Sequence, residues 1–376
     1  MARVEFQSSF KDINQEAWNR LTKSNPFLRI EFFQSLEESG SINANTGWHS
    51  FPITVTDKDN LIGASPLFLK EHSYGEYVFD SSWAQAYQQY GQSYYPKIVS
   101  CIPFTPATGP RIFGVNQTIR NNILQHIEEI SQKNKMSSAH VLFCNEDEQD
   151  IYHNTKWMPR RGVQFKWLNK NYNHFEEFLS NLSHDKRKKI KQERKKIKKL
   201  GLNIKKIKGS EITEADLDFF YTCYCNTYNE HHSQPYLTRS FFSLITERMP
   251  ESILLVLANK ADSPVAGSFF IYDEKTLYGR YWGAKNFYPG LHFELSYYQG
   301  QEFCIENKIN AFEGGAQGEH KLARGFEPFN TFSFHKIFDE RFEQAIKDFL
   351  SRENNNIELY TNELNERVPY KAELNL

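Results

Sequence analysis

The sequence is short of several things, and each shortage excludes a class. No stretch approaches the roughly 18 consecutive apolar residues a membrane-spanning helix requires, and the opening Met1-Ala-Arg-Val-Glu-Phe-Gln-Ser lacks a signal peptide's apolar run. A soluble, unexported, cytoplasmic protein is the expectation. Five scattered cysteines, an odd total with no paired zinc spacing, exclude a complete disulfide framework and offer no metal site. Also missing are the Gly-x-Ser-x-Gly elbow of hydrolases, the Gly-x-x-x-x-Gly-Lys-Ser/Thr phosphate loop and a Gly-x-Gly-x-x-Gly dinucleotide fingerprint. Hydrolase, kinase and dehydrogenase readings lose ground together.

What is present is aromatic and unevenly charged. Aromatic residues make up 15% of 376 positions, enough to build packed cores although only 39% of the chain is hydrophobic. That length suits two domains. The formal net charge of −1 conceals a segment, Lys186 to Lys208, with about thirteen basic residues and the single acid Glu193. Within it, Ile190, Ile197 and Leu200 mark the buried seam of a helix over 184–200, and cations stand nearly everywhere else. Such density disfavours a helix unless anions offset it. Lys186, Arg187, Lys188, Lys189, Arg194 and Lys195 are therefore candidates for binding phosphate on a nucleotide, coenzyme or RNA.

Periodicity predicts strands at 48–56, 61–70, 77–79 and 139–144, a hairpin turn at Asp57-Lys-Asp-Asn60 and a helix over 119–132. A second set follows, with strands at 252–258, 265–272, 276–282 and 310–313 and a helix over 292–306. The repeated order favours a duplicated mixed α/β fold, with domains at 1–170 and 171–376. The densest chemistry lies in Phe312-Glu-Gly-Gly-Ala-Gln-Gly-Glu-His-Lys-Leu-Ala-Arg-Gly-Phe326, where close-set glycines let the backbone leave a strand and approach a ligand. Here His320 or Glu313 is the expected proton acceptor. Gln317 and the main chain near Gly314 and Gly315 would meet an oxyanion, while Glu319, Lys321 and Arg324 bind substrate. A helix start near His292, preceded by Trp282 and followed by Glu294, is a second candidate. Trp83, Thr105 and Arg111 lie in aromatic, proline-rich loops of a kind that lines clefts.

Several passages then carry a resemblance: Ser82-Trp-Ala84, Tyr94-Tyr-Pro-Lys97, Pro103-Phe-Thr-Pro106, Gly109-Pro-Arg111, Pro235-Tyr-Leu-Thr238, Gly290-Leu-His-Phe-Glu294 and Glu313 to Lys321 with Arg324-Gly325. In this order, across nearly the whole chain, they resemble the bacterial predicted N-acyltransferases of the acetyltransferase (GNAT) superfamily, related to the Fem peptidyltransferases. The resemblance implies two tandem GNAT-like domains facing a shared cleft. It also implies transfer of an acyl or aminoacyl group to an amine, with no tightly bound cofactor. Ordinary acetyl-CoA enzymes hold the pyrophosphate on a glycine-rich loop. The corresponding Lys285-Asn-Phe-Tyr-Pro-Gly-Leu-His292 contains Pro289, which has no N–H. Acetyl-CoA is thereby disfavoured, leaving tRNA, a longer acyl-CoA or acyl carrier protein as the donor. A non-catalytic RNA- or nucleotide-binding protein on the same fold is the alternative.

Overall fold

The computed structural model describes residues 2–371 except Ser24, Asn154 and Gln317. Its residues cluster into two compact units, Met1–Gly162 with Asn330–Leu359, and Val163–Phe329 with Tyr360–Leu376. The chain thus leaves the first unit within the strand Met158–Leu168 and re-enters it within Glu327–Ile337. The sequence reading placed everything beyond 170 in the second unit. It had assigned no element to Glu327–Ile337 or to the long helix Glu340–Glu366.

In the first unit, Pro52 and Pro66 each interrupt what the apolar pattern presents as one strand, because neither can donate a ladder hydrogen bond. Trp48–Ser50 pairs with Leu67–Lys70, whereas Ile53–Asp57 pairs with Asn60–Ser65 in a separate four-stranded sheet. The hairpin turn falls at Lys58 and Asp59, both at positive φ, as a two-residue connection demands. Leu67–Lys70 continues into Lys97–Ser100, which runs parallel to Ser138–Cys144, and residues 332–337 complete this part of the unit. The helix Gln117–Lys133 buries Ile123, Leu124 and Ile127. No strand forms at 77–79, and Ser81–Gln89 is helix rather than loop.

The second unit orders its strands Leu202–Lys208, Ile253–Lys260, Ser263–Tyr272 and Thr276–Ala284 antiparallel. Ala311–Ala316 then lies parallel to 276–284, and its other edge pairs with residues 164–168. Alternation puts Leu254, Val256 and Ala258 against Ile190 and Ile197 of the helix His184–Lys199 and against Leu295 and Tyr298. Phe269 and Tyr281 instead meet Phe220 and Tyr224 of the helix Glu214–Glu230 and Phe242 of Arg239–Arg248. Among the described residues no helix is long and apolar enough to cross a membrane.

Candidate active site

The parallel pair 276–284 and 311–316 is joined only from Thr276↔Ala311 to Tyr278↔Glu313, and beyond that point the ladder stops. Two irregularities accompany the parting. The 263–272/276–284 ladder shifts register between Phe269 and Phe270, leaving Arg280 as the extra residue. On the other side, 311–316 shifts between Glu313 and Ala316. Past the parting, the carbonyls of Trp282 and Ala284 accept hydrogen bonds from Thr227 (2.9 Å) and Asn226 (3.2 Å) of the adjacent helix. The connection back to 311–316 begins as the short helix Leu291–Phe293, widens into a π-turn at Glu294–Tyr298 and resumes as Gln299–Asn307. Such π-turns concentrate at functional sites.

Side chains from these segments meet around residues 318–324. Lys321 is 3% exposed, and its stem lies so close to Gly314 that a Cβ there would stand 3.2 Å from Lys321 Cδ. Its Nζ donates to the carbonyl of Gly315 at 2.9 Å. Burial, reinforced by the charge of Arg280, pushes the Lys321 ammonium down to about 7. His320 is exposed, and its Nε2 lies 2.9 Å from Tyr297 Oη. Gly318 sits at φ +99° with the imidazole tight against it, a conformation and a clearance that only glycine supplies. Partial burial and the charges of Lys321 and Arg324 hold His320 below the usual imidazole range. His292, packed edge-on against Trp282 at 5.2 Å and Tyr297 at 5.3 Å, is pushed down to about 4 by burial first and by His320 second. Both imidazoles are therefore neutral at pH 7. Burial raises Tyr297 and keeps its phenol protonated.

Arg324 holds this arrangement to the basic helix. Its Nη1 donates to the His320 carbonyl at 2.8 Å, its Nη2 to Glu193 at 2.8 Å, and its guanidinium lies 3.6 Å from the Phe293 ring centre. Tyr298 donates to the other oxygen of Glu193. Arg194 also turns inward, onto Glu294 at 2.9 Å and Glu302 at 2.6 Å. That is a correction to its place among the phosphate ligands, since carboxylates occupy its donors, and equally to Glu294 as a substrate contact, since it is buried on Arg194. Lys186, Arg187, Lys188, Lys189 and Lys195 make no ion pair among the described residues; Lys188, Lys189 and Lys195 are exposed on the outer face of the helix, and Lys186 and Arg187 are half-buried. Glu319 is paired outward with Arg367 at 2.7 Å and with Tyr360.

Glu313 is half-buried at the last paired position before the strands part, and Gln317 lies outside the described residues. Trp83, Thr105 and Arg111 belong to the first unit and are buried there at 3%, 2% and 0% exposure. Arg111 donates to the carbonyls of Ala107 and Gly109, which makes it a brace of the proline-rich loop rather than a substrate contact. Sequence reasoning missed Tyr297, Arg280 and the structural use of Glu193. Only Tyr297 left a trace, as an aromatic on the same helical segment as His292. Among the described residues no cluster of three or more His, Cys, Asp or Glu side chains is placed to hold a metal ion.

Several solved structures resemble this chain over most of its length. FemX is similar at a TM-score of 0.53 and 12% identity, over 92% of this chain and 100% of that one. L-PGS from Bacillus licheniformis is similar at 0.51 and 10%, over 86% and 96%. So is a conserved protein of unknown function from Bacteroides thetaiotaomicron, at 0.50 and 12%, over 90% and 100%. At these identities the likeness establishes the fold. No curated protein matches the sequence. The model of the FemAB-like family, described as peptidoglycan biosynthesis/recognition, matches residues 9–372, and the chain belongs to that family. It is a Fem-related acyl- or aminoacyltransferase.

Proposed function

We propose that the protein moves an acyl or aminoacyl group from a phosphate-containing carrier (coenzyme A, acyl carrier protein or tRNA) to the amine of a small-molecule or peptide acceptor. The observation that carries this reading is the pairing of a neutral, exposed His320 with Tyr297 directly beside the parted strands. The amine nitrogen attacks the carbonyl carbon of the thioester or ester. A C–N bond forms, the C–S or C–O bond breaks, and the leaving group departs with a proton. With Nε2–H donated to Tyr297, the Nδ1 lone pair of His320 takes the proton released by the amine. Glu313 is the second acid–base group, and main-chain N–H groups at 314–316, with Gln317, meet the oxyanion. Direct attack needs no enzyme nucleophile, in keeping with the missing elbow. The basic helix receives phosphate on Lys186, Arg187, Lys188, Lys189 and Lys195.

Single-turnover transfer from labelled acyl-CoA, acyl carrier protein and aminoacyl-tRNA to a panel of amines tests this. With the productive pair, His320→Gln lowers the rate by about a hundredfold to ten-thousandfold while carrier binding changes little. Near-normal turnover in both His320→Gln and Glu313→Gln would refute general-base catalysis from this cluster.

A further inference from the structure

Among the described residues the most exposed large apolar side chain is Phe287, at 88%. It stands in the 285–290 connection, between Lys285 and Tyr288, both of which face solvent at least in part. Leu200, which ends the basic helix, is 40% exposed. The 285–290 connection lies against the C-terminal end of that helix. A Cβ on Gly290 would stand 3.9 Å from Ile197 Cδ1 of the basic helix. Tyr288, Leu202, Val265 and Ala284 share a hydrophobic cluster with Ile197. Leu202 is paired with Lys260, whose Nζ lies 5.9 Å from the Tyr288 ring centre. Exposed lysines stand on the same segments: Lys195, Lys196, Lys198 and Lys199 on the basic helix, Lys260 beside Tyr288, and Lys285 two residues before Phe287.

We propose that this patch docks the protein on an anionic lipid surface, with Phe287 and Leu200 entering the interface and the lysines meeting the headgroup phosphates. The proposal rests on the phosphate-binding reading of the basic helix and assigns the lysines at its C-terminal end to lipid headgroups, apart from the phosphate of the carrier. Three features favour a lipid surface over RNA. The free cations are lysines apart from Arg187, point charges suited to a diffuse anionic layer, whereas nucleic acid recruits the planar fork of arginine. Leu200 cannot stack on a base but does partition into an interface. A formal net charge of −1 gives no long-range attraction, so binding depends on this patch alone.

The test is sedimentation of the full chain with vesicles of phosphatidylcholine, with and without phosphatidylglycerol, in parallel with retention of unacylated tRNA. The wild type binds the phosphatidylglycerol vesicles and leaves the neutral ones and the tRNA largely unbound. Phe287→Ser weakens vesicle binding about tenfold, and Phe287→Trp restores it with a blue shift in emission. Reversal of Lys198 and Lys199 to Glu weakens it about thirtyfold. Tight tRNA binding without vesicle binding, absence of both, or vesicle affinity indifferent to Phe287 would each overturn the proposal. Phe287→Ser retains its single-turnover transfer rate in solution, so loss of docking is distinguishable from loss of the proposed chemistry.

Discussion

Replacement of Lys321 by methionine separates the folding cost of that residue from its use. The ammonium is 3% exposed, and burial together with Arg280 moves it from an ordinary 10.5 to about 7. Because the folded-state value is the lower one, the unfolded chain binds the proton more tightly, and stability rises with pH between the two values. The penalty is complete below pH 7 and gone above pH 10.5. It amounts to about 5 kcal/mol at pH 6, from about 1.4 kcal/mol for each pH unit of displacement. Methionine nearly matches the lysine stem in volume but forfeits the 2.9 Å bond to the Gly315 carbonyl, a loss of about 1–3 kcal/mol for a charged donor. Lys321→Met should therefore be about 2–4 kcal/mol more stable than the wild type at pH 6. At pH 10.5 the two should be equal, or the variant slightly the weaker. Urea unfolding followed by tryptophan fluorescence at both pH values measures this. A variant destabilised by the same amount at both would refute the reasoning, since the lysine would then be an ordinary structural donor.

Three further outcomes follow from other contacts. In the first unit, Lys97→Met strands the buried Asp80 and Glu76 carboxylates, which Lys97 holds at 2.5 and 2.8 Å, and should cost about 3–5 kcal/mol at pH 7 by chemical denaturation. The loss shrinks at pH 5, where Glu76, already pushed up to about 7 by burial, takes a proton; a loss unchanged with pH refutes it. A Cβ at Gly283 would lie 2.0 Å from the Cys223 carbonyl oxygen, so Gly283→Ala must push the 214–230 helix off the sheet. It should cost about 3 kcal/mol, and an unchanged thermal midpoint would contradict the packing. Tyr297→Phe removes the acceptor that steadies the His320 imidazolium, so turnover drops about tenfold and the acidic limb of the pH–rate profile moves to lower pH. A limb moving upward would reverse the assigned direction of that hydrogen bond.

The parts of this molecule legible in the sequence are those whose cause is local. Apolar runs bounded by turn residues give the three antiparallel strands between 253 and 284, and the Gly-rich, charged passage 313–321 announces the place where two strands part. Where the cause is distant, the pattern is silent. Nothing in Glu294 to Tyr298 marks a π-turn, because the same side chains fit an α-helix. The inward rotation of Arg194 depends on Glu294 and Glu302, about a hundred residues further along the chain. The run of cations therefore looks uniform in sequence although one side of the helix is an ion-pair seam. Trp83 and Arg111 show the opposite difficulty. Aromatic, proline-broken loops have one composition whether they line a ligand or fold onto their own unit, and here Arg111 spends its guanidinium on carbonyls a few residues away.

Two buried lysines show how position, rather than residue type, marks the site. Lys97 is fully buried, yet Glu76 and Asp80 raise its ammonium above the ordinary value, so the charge is fixed and the group is inert to proton exchange near neutrality. Lys321 is buried to a similar extent, but the charge bearing on it most is that of Arg280, of the same sign, and the result is a nitrogen poised at about 7. Burial has the same effect on Lys70 of the first unit, which is pushed down to about 7 with Glu76 at 4.0 Å. Lys321 is set apart by its place, next in sequence to a neutral imidazole and under the bend where two strands separate, where the proposed transfer has its changing charge. The ion pairs of Arg194, Glu193 and Arg324 frame the cluster at 318–324, to which the proposed function assigns the chemistry.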